Sequence, residues 1–155
     1  SSGSGDPGLV FIAGAMHDIG IYASQRLGPT SFKEVIAQVD DLSTTHAVER
    51  ELLGWDHGEL GEAILEQWGL SEEIQAVARH HHDADQQLDS PYAEAICCVA
   101  IANYLCSRSG RASIGSNNLD PPSNAVFQRL NIDAGLLTIL GQQLYAALNS
   151  ASELN

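Results

Sequence analysis

Residues 56–82, DHGELGEAILEQWGLSEEIQAVARHHH, contain two runs of apolar residues at helical spacing, with a glycine between them. The first run lies at spacings of three and four: His57, Leu60, Gly61, Ile64, Leu65 and Trp68. The second run repeats the pattern: Ile74, Val77, Ala78 and His81. Residues at this spacing share one face of an α-helix. The stretch therefore predicts two amphipathic helices, capped by Asp56 and Ser71, each with a histidine on its buried face.

Similar start and stop signals recur along the rest of the chain. Capping residues, prolines and apolar periodicity predict further helices over 6–19, 31–40, 45–54, 90–108, 124–130 and 133–149. Residues 110–123 are rich in Gly, Ser, Asn and Pro and are predicted to form a loop. Because no alternating apolar run calls for a strand, we expect an all-α fold, an irregular bundle of seven or eight helices. Residues 6–150 would form a single domain, with 1–5 a flexible linker or cloning scar and 151–155 a tail.

The charge of the chain limits its partners. Twenty acidic residues against seven basic ones give a net charge of −13. Nucleic acids and anionic membranes are bound largely through Lys and Arg, so neither is an expected partner. No apolar run is long enough for a transmembrane helix, and the Ser/Gly-rich start lacks the features of a signal peptide.

The three cysteines lie within one apolar stretch. Cys97, Cys98 and Cys106 have no CxxC spacing, which disfavours both a zinc site and a disulfide framework. They are predicted to be buried free thiols, as is typical of a reducing compartment, and this indicates a cytoplasmic protein.

Polar residues on apolar faces are the most informative feature. His17 aligns with Val10, Ala13 and Gly14, and Asp18 follows it at the predicted helix end; Asn103 aligns with Ile96, Val99 and Ala100. Together with His57 and His81, four helices each turn a polar group toward the core. Buried polar groups need partners, so we expect these groups to converge. The cluster is either a site for a divalent metal or a metal-free hydrogen-bonded network.

Several motifs resemble a known family. FIAGAMHDIG (11–20) resembles the signature of the HD superfamily, in which His-Asp ends a helix and ligates a metal. LGWDHGELGEAILEQWGLSEEIQAVARHHHDAD (53–85) and IANYLCSRSG (101–110) resemble HDOD domains, the HD-related output domains of bacterial signalling proteins. The likeness covers roughly residues 6–148 and implies an all-helical fold of the HD-domain type.

The resemblance also implies a ligand set. It maps the metal positions of the superfamily onto His17, Asp18, His57 and His81, with His82 and Asn103 as weaker candidates. The expected cofactor is one divalent transition metal: Fe, Mn, Zn or Ni. Asn103 stands where catalytic relatives carry an Asp, and the histidine that catalytic relatives carry on an earlier helix has no counterpart here. The GYP motif of HD-GYP phosphodiesterases is also absent after His82.

These departures favour regulation over catalysis. Between residues 49 and 78 there are eight acidic residues and one basic residue, Arg50, which leaves few groups to receive phosphate. We expect a regulatory signal-transduction domain with a degenerate HD-type site, which acts mainly by protein–protein interaction with other signalling proteins. The alternative is a metal-dependent phosphohydrolase acting on nucleotides or cyclic dinucleotides, in which Asp18 would be catalytic. A third hypothesis is a sensor that binds a nucleotide-type or other small anion without cleaving it.

Overall fold

A computed structural model describes residues 6–39, 44–110 and 119–152. Its α-helices are α1 (Pro7–Met16), α2 (Ile19–Leu27), α3 (Pro29–Gln38), α4 (Thr45–Leu53), α5 (His57–Gln67), α6 (Glu72–His80), α7 (Ala93–Arg108), α8 (Asn124–Arg129) and α9 (Ala134–Ser152). A short 3₁₀ helix, Ala84–Gln86, lies between α6 and α7. No strand occurs in these ranges, so the prediction of an all-α fold is confirmed.

Capping residues set several of these boundaries. The Asp6 carboxylate accepts a hydrogen bond from the Gly8 amide at the start of α1, and Asp56 accepts one from the Glu59 amide at the start of α5. Gly54 directly after α4, and Gly69 two residues after the end of α5, adopt positive φ angles, as expected of C-terminal stops.

The main departure from the predicted helices occurs at His17 and Asp18. The sequence predicts one helix through Ile19, whereas α1 ends at Met16 and a new helix, α2, begins at Ile19. The described residues therefore form nine α-helices, one more than the upper end of the prediction. The break places the side chains of His17 and Asp18 at a corner between α1 and α2, where both can face the interior.

Two predicted helix starts were also wrong. α3 begins at Pro29, before the predicted capping box at Ser31, since a proline at the first helical position already has the required φ. α7 begins at Ala93, because the Ser90 hydroxyl accepts a hydrogen bond from the Tyr92 amide and holds the preceding residues in a turn. Of the predicted loop over 110–123, residues 111–118 lie outside the described ranges, as do the predicted linker 1–5 and residues 153–155 of the tail.

The core lies where α1, α5, α6 and α7 meet. α5 packs against α6 and α2, and α1 packs against α6 and α7. The fully buried apolar side chains at this junction include Ala13, Leu65, Val77, Ala78, Ile96 and Cys97. The four helices therefore hold their inward polar groups at fixed positions relative to one another.

Two burial predictions need correction. Trp68, predicted to lie on the buried stripe of α5, is 58% exposed, since it lies at the end of the helix, where the periodicity no longer applies. The cysteines are free as predicted, but only Cys97 is buried; Cys98 is exposed and Cys106 is half-buried.

Candidate metal centre

Asp18 lies at the centre of a cluster of histidines. Its Oδ1 atom is 3.6 Å from His57 Nε2 and 3.5 Å from His81 Nε2, and its Oδ2 atom is 3.2 Å from His17 Nε2. These residues come from the α1–α2 corner, the start of α5 and the end of α6. The break between α1 and α2 thus brings a carboxylate to the ends of two further helices.

Hydrogen bonds to backbone carbonyl oxygens fix the orientation of two imidazoles. Nδ1 of His17 lies 2.7 Å from the Gly14 carbonyl oxygen, and Nδ1 of His81 lies 2.9 Å from the Ala78 carbonyl oxygen. A carbonyl oxygen only accepts, so in both rings Nδ1 carries a proton and Nε2 is the nitrogen that faces Asp18. Nε2 of each ring is buried and makes no hydrogen bond with the described residues. A histidine anchored in this way is oriented as metal-ligating histidines are.

His57 is anchored by a carboxylate. Its Nδ1 atom lies 2.5 Å from Oε2 of Glu49, and its Nε2 atom points toward Asp18 and lies 3.0 Å from Nε2 of His82. Glu49 and His57 are each about 1% exposed. The carboxylate–histidine pair leaves the other ring nitrogen available as a ligand.

The donor set suits a divalent transition metal. Asp18, His57, His81 and His82 each offer one ligand atom, and these four atoms lie within 4.8 Å of one another. Imidazole nitrogens with one carboxylate are ligands that Zn, Fe, Mn and Ni accept. Together with the unpartnered Nε2 of His81, this arrangement fits the expected ion.

His17 and Asn103 lie beside this group of four. His17 reaches the other oxygen of Asp18, and the side chain of Asn103 is close enough to His17 to favour the charged form of its ring. The structure thus brings all six sequence-predicted residues together, with His17 at Oδ2 of the carboxylate and Asn103 in the lining of the cavity beside His81 and His82.

The charges in the cluster balance one another. Burial disfavours the charge on Asp18, but its close polar contacts with His17 and His81 outweigh burial and hold the pKa of Asp18 well below the usual range. Burial acts against the charged form of His17 and of His57 too. Asp18 nevertheless raises the pKa of His17, and Glu49 raises the pKa of His57.

The other imidazoles of the cluster favour the neutral form. Burial lowers the pKa of His81, and burial with repulsion from neighbouring histidines lowers that of His82 much further. A neutral imidazole is the form that binds a metal. The cluster therefore combines an ionised carboxylate with two imidazoles, those of His81 and His82, that favour the neutral form able to bind a metal.

Sequence analysis missed two residues of α4 at this site. His46 stacks on His82, with ring centroids 4.2 Å apart, and burial lowers its pKa to about 4. Glu49, three residues later, binds His57. Neither belongs to a recognised motif, and glutamate is rarely a buried residue. Their spacing places both on one face of α4, and this was the only signal that could have been used.

The nearby arginines already have acidic partners. Arg50 pairs with Asp56 and Asp83, and Arg79 contacts Glu59 at 2.8 Å and Glu62 at 3.5 Å. A cavity of about 200 Å³ adjoins the histidines, and its described lining carries no lysine or arginine. Its polar lining residues are Thr44, His46, His81, His82, Asp85, Asn103, Tyr104 and Asp120. This cavity presents little positive charge to an anionic ligand.

No helix within the described ranges is sufficiently long and apolar to cross a bilayer.

No curated protein matches the chain. In a crystal structure, a protein of Marinobacter aquaeolei VT8 described as a candidate signal transduction protein shares the fold, with a TM-score of 0.81 and 22% sequence identity. The match covers 95% of this chain and 32% of the other, so the chain spans about a third of that protein.

The family comparison confirms the resemblance carried by the motifs. The family model of the HDOD domain matches residues 1–84, which include the His17–Asp18 corner, His57, His81 and His82. The matched range, residues 1–84, covers more than half of the chain. The chain belongs to the HDOD domain family.

Proposed function

We propose that this chain is a regulatory domain of a signalling protein, and that its HD-type site holds one divalent transition metal without hydrolysing a phosphate ester. The observation that carries the metal assignment is the common orientation of His57 and His81. Each ring is anchored through Nδ1 and turns Nε2 toward Asp18. In a metal-free polar network each of these nitrogens would need a hydrogen-bond partner; Nε2 of His81 makes no hydrogen bond within the described residues, and Nε2 of His57 contacts Nε2 of His82 at 3.0 Å.

A single ion fits the carboxylates available. A two-metal hydrolytic centre needs carboxylates that bridge the ions. Within the described residues, Asp18 is the one carboxylate in the group of four ligands, and the Glu49 carboxylate is directed to the backbone and ring of His57. Asn103, at the position where catalytic relatives carry an Asp, has an amide side chain that cannot supply a bridging carboxylate. These contacts support a degenerate site.

The electrostatics also argue against a phosphate substrate. The chemistry that a bound ion would supply is polarisation of an oxygen ligand and activation of water. Phosphate binding additionally needs positive groups, and both Arg50 and Arg79 are engaged by acidic partners. In this proposal the ion holds the ends of α1, α5 and α6 in register.

Exposed apolar side chains support a role in protein–protein interaction. Phe11 on α1 and Tyr22 and Leu27 on α2 are each more than 70% exposed. Aromatic side chains are enriched where proteins bind one another, so we assign these three residues to the contact with a partner. The signal transduction description of the Marinobacter protein is consistent with partners that are other signalling domains.

Elemental analysis with a hydrolysis assay tests the proposal. Protein purified without added metal or chelator should contain one Fe, Mn, Zn or Ni per chain and should release no product from nucleotides or cyclic dinucleotides. Two firmly bound ions, with turnover that His57→Ala abolishes, would instead establish a phosphohydrolase. Protein without any bound transition metal, and without affinity for one, would reduce the cluster to a polar network.

A further inference from the structure

Helix α4 contacts both segments that carry the closely spaced imidazoles of His57 and His82. Glu49 of α4 accepts two hydrogen bonds from His57 on one oxygen: 2.9 Å from the backbone nitrogen and 2.5 Å from Nδ1. One buried carboxylate thus fixes both the first turn of α5 and the orientation of its histidine ring.

Two more residues of α4 hold the segment of His82. His46 stacks on the His82 ring with an interplanar angle of 18°. Arg50 joins Asp56, directly before His57, to Asp83, directly after His82. The inward face of α4 therefore connects two chain segments whose ring nitrogens lie 3.0 Å apart.

We infer that α4 positions His57 and His82 for metal binding, with Glu49 and Arg50 as positioning residues; this inference rests on the proposed metal site. Glu49 keeps the proton of His57 on Nδ1 and places a negative charge behind the ring, and both effects strengthen Nε2 as a ligand. Removing an outer carboxylate of this kind weakens metal binding by about 10- to 100-fold.

The coupling between the docked position of α4 and metal binding acts in both directions. If α4 strengthens metal binding, an ion that fixes His57 and His82 must stabilise the docked position of α4 to the same extent. The other face of α4 is exposed and carries Glu51 and Leu52. Metal occupancy would therefore change the order of a surface that a partner can reach.

A matched pair of variants on one helix tests the inference. Glu49→Gln keeps an oxygen that can accept the His57 hydrogen bonds but removes the charge, and Glu51→Gln makes the same change at an exposed site. Zn²⁺ affinity is measured by competition with a chromophoric chelator. We expect Glu49→Gln to bind about 10- to 100-fold more weakly than wild type and Glu51→Gln to remain within about twofold.

Hydrogen exchange gives a second readout. Zn²⁺ should slow amide exchange across residues 45–53 in wild type and Glu51→Gln, and much less in Glu49→Gln. If Glu49→Gln does not fold, Arg50→Gln takes its place as the test variant, because Arg50 is partly exposed and its replacement leaves no buried cavity. The Zn²⁺ affinity of Arg50→Gln should also be lower than that of wild type.

The outcomes separate the two proposals. A wild-type protein that binds no ion overturns the metal site and this inference with it. Wild-type affinity in the folded Glu49→Gln and Arg50→Gln variants, or in Arg50→Gln alone where Glu49→Gln does not fold, overturns the role of α4 and leaves the metal site intact.

Discussion

A Cβ atom on Gly20 would overlap the backbone carbonyl oxygen of His57. It would also approach the amide nitrogen of Gly61 at 2.9 Å. Gly20, the last residue of the HDIG motif, is thus the point where α2 crosses the first turns of α5. This close approach brings the α1–α2 corner, and therefore Asp18, within reach of His57.

Gly20→Ala should consequently destabilise the protein and disturb the site. The obstructing atoms are backbone, which cannot rotate away, so we expect a loss of at least about 2 kcal/mol in the free energy of unfolding. Urea denaturation followed by circular dichroism measures it. Gly141→Ala on α9 is the control, because a Cβ there meets nothing within 4 Å. It should stabilise the helix by about 0.5–1 kcal/mol. Equal stability of the two variants would contradict the close packing.

Metal binding should stabilise the fold through His81. An ion that binds the folded state alone adds about 2.7 kcal/mol at a concentration 100 times its Kd. We expect Zn²⁺ to raise the Tm of chelator-treated wild type and to leave the Tm of His81→Leu unchanged. Without metal, His81→Leu should be as stable as wild type or more so, since it replaces a buried polar ring by an apolar side chain.

His80→Leu provides the matched control for this experiment. His80 lies next to His81 but is outside the group of four ligands. Its variant should keep the full Tm increase and the full metal content. A Tm increase retained in His81→Leu would remove this residue from the site.

Nucleotides and cyclic dinucleotides should leave the thermal stability unchanged. The described lining of the cavity beside the histidines carries acidic residues and no lysine or arginine, and Arg50 and Arg79 are held in ion pairs. A thermal-shift panel with Mn²⁺ present tests this, with chloride salts at matched ionic strength because a charge of −13 makes stability salt-sensitive. Stabilisation without product would indicate a sensor of small anions, and product formation would indicate a hydrolase.

The sequence predicted which histidines converge better than it predicted the residues that orient them. His57 and His81 could be recognised because a polar residue on an apolar stripe is conspicuous when helix periodicity is regular. Glu49 could not, because α4 is short and the partner of Glu49 lies on another helix. A buried carboxylate is recognisable only once its hydrogen-bond partner is known.

Helix ends were the other source of error. The predicted helix over 6–19 ran through the break at His17 and Asp18, since nothing in the sequence HDIGIY interrupts a helical pattern, and α2 was not predicted at all; the break depends on tertiary contacts of Asp18 and Gly20. Trp68 was placed on the buried face of α5 by extending its period by one residue. At that position the chain already turns toward Gly69, whose φ is 72°.

The difference in burial between Leu65 and Trp68 can be tested by replacing each side chain with alanine. Leu65 is fully buried in the core, whereas Trp68 is 58% exposed. Leu65→Ala should cost about 2–5 kcal/mol, because it removes buried methyl groups and leaves a cavity. Trp68→Ala, although it deletes a larger side chain, should change stability by about 0.5 kcal/mol or less, as is usual for surface positions. A loss at Trp68 comparable to that at Leu65 would show that the tryptophan is buried in solution, on the stripe where its spacing first placed it.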